Sequence, residues 1–145
     1  MKTLILDTCI INSIFDESCA MHNEFKPVKV FIQKGGKIIF GGSTYYEEIK
    51  KTKLIHLLTQ FDKSRQLVRL SDGEVNKMED ELKNIVSDSC CDDFHIFAMY
   101  NKSNCEVICT SDDRMIRCVK KYKRELILRK LPRFYTKGKN KNLLI

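Results

Sequence analysis

Thr3-Leu4-Ile5-Leu6-Asp7-Thr8 is the stretch on which the fold turns. The run from Thr3 to Leu6 has no polar alternation and is too short for a helix, so it reads as a buried strand. It ends on a carboxylate, Asp7. Beyond that acid, Ile10, Ile11, Ile14 and Phe15 fit one face of a helix over 8–15. A strand that feeds a helix through a single acid places the acid at the carboxyl edge of a sheet. In open α/β proteins that edge binds ligands.

The remaining pattern repeats the unit. Phe25, Val28, Phe31 and Ile32 have helical spacing, with Pro27 suited to a first turn and Gly35-Gly36 as the stop. Lys37 to Phe40 is a second short buried strand. A long helix is expected over 43–61, opened by a Thr44/Glu47 capping box and buried through Ile49, Leu54, Leu57, Leu58 and Phe61. Residues 66–70 read as a short strand. Ser71 and Glu74 form another capping box, opening a helix with Val75, Met78, Leu82, Ile85 and Val86 on one face. A loop over 87–91 leads to a helix begun at Asp92-Asp93. Residues 106–110 read as a third clear strand, a basic helix follows to about residue 123, and 126–128 is taken as a last short strand. Apolar strands alternating with helices imply a parallel sheet of about four or five strands covered on both faces, a three-layer α/β/α fold.

With 145 residues, 43% of them hydrophobic, the chain suits one domain over 1–136. The basic segment 137–145 has the composition of a flexible tail. No apolar run approaches the roughly 20 residues that span a membrane, and Asp7 interrupts the first such run too early for a signal peptide. The expectation is a soluble, cytoplasmic protein without a membrane partner. The seven cysteines are odd in number and lack metal-ligand spacing, so they read as reduced thiols. Net charge is +7, unevenly placed: residues 1–113 sum to −4 and residues 114–145 to +11. That asymmetry points to a polyanionic partner contacted through the C-terminal quarter.

Acids recur at equivalent places. Asp7 ends a strand, Glu47 or Glu48 lies early in the helix after the second strand, Asp92 or Asp93 opens a helix, and Asp112 or Asp113 ends another strand. Taken singly, an Asp at a helix start is most often an N-cap, and Glu47 has its capping box. As a set they converge on one sheet edge, where unpaired carboxylates repel. A hard divalent cation resolves the repulsion, and oxygen-only donors favour Mg²⁺ or Mn²⁺ over Zn²⁺.

In their order and spacing, Leu4-Ile-Leu-Asp7-Thr8, Tyr46-Glu-Glu-Ile49, Asp92-Asp-Phe-His-Ile-Phe-Ala98 and Cys109-Thr-Ser-Asp-Asp113 resemble the four motifs of PIN-domain proteins. The resemblance spans residues 3 to about 130. It implies a metal-dependent, VapC-like endoribonuclease, with Asp7, Glu48, Asp93 and Asp112 as catalytic metal ligands. It also implies RNA as substrate, an antitoxin protein as partner and pairing as a homodimer. Cys9 and Arg114 depart from the family pattern, the second at a position where some members carry another acid. Thr8, Thr110 and Ser111 are expected to orient carboxylates or water, and Arg114, Arg117, Lys120, Lys121, Arg129 and Arg133 to grip RNA phosphates. His95 is expected to be structural or to contact a ligand from behind.

Two other classes compete. One is a PIN-like protein without catalysis that binds RNA or an acidic partner. The other is a phosphotransfer receiver or a haloacid-dehalogenase-type phosphatase. A receiver needs an acidic pair near its first strand, and the phosphatase needs an Asp where Cys9 stands, so both fit poorly.

Overall fold

The computed structural model of the chain describes residues 2–145. The chain opens with β1 (Thr3–Leu6), a 3-10 turn (Thr8–Ile10) and α1 (Ile11–Phe15), then α2 (His22–Gln33) and β2 (Lys37–Phe40). Helices α3 (Ser43–Ile49) and α4 (Leu54–Lys63) lead to β3 (Leu67–Arg69) and α5 (Asp72–Ile85). Helix α6 (Phe94–Asn101), β4 (Val107–Cys109), α7 (Asp113–Lys121) and β5 (Arg133–Tyr135) follow, and a 3-10 helix (Gly138–Leu144) ends the fold.

The five strands form one all-parallel sheet in the order β3-β2-β1-β4-β5, the centre of a three-layer α/β/α fold. The central place of β1 follows from its composition, since Leu4, Ile5 and Leu6 are fully buried, as a strand covered on both faces requires. Leu4 registers with Ile38 of β2 and Val107 of β4, and Leu6 with Cys109. From β1 the chain steps outward through β2 to β3, then returns to β4 and β5 on the other side. The order therefore reverses between β1 and β4, and in such sheets the crevice at that reversal is the ligand site.

Several expectations change. The helix expected over 43–61 is two helices, because the Thr52 hydroxyl donates to the Ile49 carbonyl at 2.8 Å and accepts from the Leu54 amide at 3.2 Å. That turn shifts the buried stripe from Tyr45 and Ile49 to Leu54, Leu58 and Phe61. The Thr44/Glu47 capping box does not form. Helix α3 starts instead from Gly42 at φ +89°, where an added Cβ would lie 2.6 Å from Val75 Cγ1, and whose amide donates to Asp72 Oδ1 at 2.9 Å. Thr44 donates to both oxygens of buried Glu79 at 3.0 Å, and Glu47 pairs with Lys50 at 3.1 Å. The Ser71 cap is present, accepting from the Glu74 amide.

The last strand is β5, not 126–128. Residues 123–127 form turns, with Leu126 buried, Ile127 at φ 55° and about half exposed. The thiols are not all free: Cys91 and Cys118 form a disulfide with Cα atoms 5.6 Å apart, because the fold packs the loop before α6 against α7. Residues 137–145 are also not a loose tail. Asn140 Oδ1 accepts from the Thr136 amide and hydroxyl at 3.1 Å, Leu143 and Leu144 pack on the core, and Lys2 Nζ donates to the Leu143 carbonyl at 2.8 Å.

Candidate functional site

Asp7 follows β1 directly, and its amide continues the ladder to the Cys109 carbonyl at 2.9 Å. The residue is only 5% exposed, so its carboxylate needs internal partners. Its Oδ2 accepts from the Thr110 hydroxyl at 2.6 Å and from the Cys9 thiol at 3.2 Å. Thr110 Oγ1 in turn accepts from the Asp112 amide at 3.0 Å. One hydroxyl thus ties the ends of β1 and β4 together at the reversal of strand order. Burial and the Asp7 charge raise the Cys9 thiol, so it stays protonated and acts as a donor. Ser111 is exposed, with its hydroxyl 3.6 Å from the Cys9 sulfur.

Helix α3 supplies Glu48, and Tyr45 one turn earlier anchors that helix by donating to the Leu6 carbonyl at 2.7 Å. Burial, then the charges of Asp7 and Glu48, raise the Tyr45 phenol far above its ordinary value. Glu48 Oε1 accepts from His95 Nε2 at 2.7 Å and from the Thr8 hydroxyl at 3.3 Å. The His95 bond, against the opposing cost of burial, lowers the Glu48 carboxyl. Burial works against charge on His95, but the Glu48 bond and charge and the Asp93 charge outweigh it and raise the imidazole. His95 is therefore the residue that fixes Glu48. Glu47, paired with Lys50 on the surface, is not part of the site.

Asp93 stands at the N-cap position of α6 without making a capping bond, so its side chain is free to face the acids. Burial, then the charges of Asp7 and Asp92, push its carboxyl up to about 7. Asp112 does cap α7, accepting from the Arg114 amide at 2.9 Å. Asp92, Asp93 and Asp112 each present one carboxylate oxygen within 4.8 Å of the others, the only such trio of possible metal donors among the described residues. Asp7 and Glu48 are not part of this trio, although the Asp7 charge acts on Asp93. Both Asp92 and Asp93, held open as alternatives from sequence, therefore belong to the cluster. The donor set is all oxygen and suits a hard cation such as Mg²⁺ or Mn²⁺. The raised Asp93 carboxyl reflects burial first and the neighbouring charges of Asp7 and Asp92 second.

The basic residues divide. Arg114 lies across the cluster, its Nε 3.5 Å from Asp112 and its Nη2 3.8 Å from Asp92. Arg117 and Lys120 are exposed on α7 without ion pairs among the described residues, whereas Lys121 pairs with Asp88 at 3.2 Å. Arg129 is committed to the fold, donating to the Ser103 and Cys105 carbonyls and lying 4.6 Å from the Tyr100 ring centroid. Arg133 opens β5 in register with Val107, at the amino edge of the sheet, away from the acids. Its placement and that of Arg129 separate them from the proposed grip, because residues 122–132 carry the chain back to begin another parallel strand.

Sequence reasoning missed the Cys9 bond to Asp7, the buried Glu79 beneath α3 and the disulfide beside Asp92. Only the adjacency of Cys91 to the acidic pair hinted at the last. No family model, no curated protein and no solved structure matches this chain. Among the described residues, no helix is long and apolar enough to cross a membrane.

Proposed function

We propose that this protein is a metal-dependent endoribonuclease that hydrolyses RNA phosphodiester bonds, with Asp7, Glu48, Asp93 and Asp112 around Mg²⁺ or Mn²⁺. One observation carries the reading. Asp92, Asp93 and Asp112 bring carboxylate oxygens within 4.8 Å of one another at the carboxyl edge of the sheet, and burial together with the charges of Asp7 and Asp92 pushes Asp93 up to about 7. A bound divalent cation there would lower the pKa of a water and stabilise charge growing on phosphoryl oxygens. Thr110 and Cys9 hold Asp7 in place, and His95 and Thr8 hold Glu48, so neither carboxylate has to reorganise when a ligand arrives. Arg117 and Lys120 on α7 supply positive charge for the phosphate backbone. The resemblance to PIN-domain proteins points the same way and extends to an antitoxin partner and a homodimer.

The test is cleavage of several RNAs with Mn²⁺ and with EDTA. Asp7→Asn and Asp93→Ala each abolish Mn²⁺-dependent cleavage while circular dichroism stays native; full activity in both rejects the reading.

A second reading has its own support. Arg114 already sets a cation between Asp92 and Asp112, which suits a non-catalytic protein that binds RNA or an acidic partner. RNA binding without any Mn²⁺ uptake by the purified protein would favour it.

A further inference from the structure

We infer that the Cys91–Cys118 disulfide sets the cation affinity of the acid cluster, so that the site responds to the thiol state of its surroundings. The inference rests on the cation site proposed above. Cys91 immediately precedes Asp92 and Asp93, and Cys118 lies on α7, the helix that Asp112 caps. The bridge therefore joins the two segments whose carboxylates must hold their spacing for a cation to be shared.

Asp93 is also held by buried α6, whose Ile96 and Phe97 amides donate to its carbonyl at 3.0 and 3.3 Å, while Asp92 and the loop before it lie outside any helix or strand. Between the end of α5 and the start of α6, residues 86–93 contain no regular helix or strand. Two non-covalent ties flank the disulfide. Below it, Asp88 accepts from the Tyr122 hydroxyl at 2.6 Å and from Lys121 at 3.2 Å. Above it, Arg114 reaches Asp92 at 3.8 Å, and both of those side chains are more than half exposed. An ion pair so exposed holds little. The disulfide is the covalent tie between the segment that carries Asp92 and Asp93 and the helix that Asp112 caps.

Opening the bridge is a two-electron exchange with a low-molecular-weight thiol. The thiolate of that compound attacks one sulfur and displaces the other cysteine as thiolate, which takes up a proton. A second small thiol then resolves the mixed disulfide, leaving two cysteine thiols and one small-molecule disulfide. Both half-cystines are about 95% buried, so reduction requires the 86–91 loop to lift from α7.

Mn²⁺ titration of the folded chain, oxidised or reduced and then desalted, tests the inference, with thiol counting in denaturant to verify each state. The oxidised chain should show five thiols and the reduced chain seven. Reduction should weaken Mn²⁺ binding roughly tenfold, the usual effect of losing support behind metal ligands. Cys91→Ala/Cys118→Val, which fills the space without a bridge, should bind at the weak value whether or not reductant was used. Equal affinity in both verified states overturns the inference and leaves the cation site standing. Seven thiols before reduction overturn it in the same way. No Mn²⁺ binding in either state overturns the cation site and the inference together. Loss of fold on reduction, seen by circular dichroism, also overturns it, since the bridge would then support the whole domain rather than the site.

Discussion

A carboxyl group beside a buried strand end has two ways of lowering its cost, hydrogen bonds to its charged form or a proton. Asp7 takes the first way, with Thr110 at 2.6 Å and Cys9 at 3.2 Å on one oxygen. Asp93 takes the second: burial and the charges of Asp7 and Asp92 push it up to about 7 from an ordinary 3.8. Its folded value lies above its unfolded one, so the stability it contributes is fully present below about pH 4 and is lost as pH rises to about 7. A cation competes with that proton. Mn²⁺ affinity should therefore climb across the same window, read by titration at about pH 5.5 and about pH 8, and Asp93→Asn should flatten the climb. Behind Glu48, His95 acts as a brace, and His95→Ala should weaken Mn²⁺ binding by about ten- to a hundredfold, with His95→Gln recovering part of it.

At the scale of elements, much of the site's frame was legible because it is written in local pattern. The apolar run of β1 ending on Asp7, the strand from Lys37 to Phe40 and the Ser71 cap of α5 all depend on neighbours in sequence. What escaped depends on distant contacts. The break between α3 and α4 hangs on one Thr52 hydroxyl, and β5 is a three-residue edge strand whose exposed Arg133 hides its role. The disulfide joins cysteines 27 residues apart, a pairing that only the packing of α7 decides. Asp112 and the Asp92-Asp93 pair were legible as candidates, yet the gathering of Asp92, Asp93 and Asp112, with Arg114 across Asp92 and Asp112, required the loop geometry. The central strand should dominate stability. Ile5→Ala, at a fully buried position, should lower stability by about 2–5 kcal/mol, measured by denaturant unfolding.

For the whole molecule, the charge asymmetry of the sequence does not become a single basic face. Arg114 is turned to the acids, Arg129 to backbone carbonyls, and Arg133 to the opposite edge of the sheet. On α7, the helix that Asp112 caps, Arg117 and Lys120 are exposed and make no ion pair among the described residues. Removing both should weaken RNA binding and reduce its salt slope by about 1.4 if single-stranded RNA is the partner. Arg133→Ala should leave that slope unchanged. The claim beneath all of this is that a divalent cation sits at the crevice between β1 and β4. The direct measurement is paramagnetic broadening of backbone amide signals by substoichiometric Mn²⁺. Broadening should centre on residues 7–9, 92–95 and 110–114, and disappear in Asp93→Asn. Broadening centred instead on exposed acids elsewhere, such as Glu17 or Glu81, or no broadening at all, would contradict it.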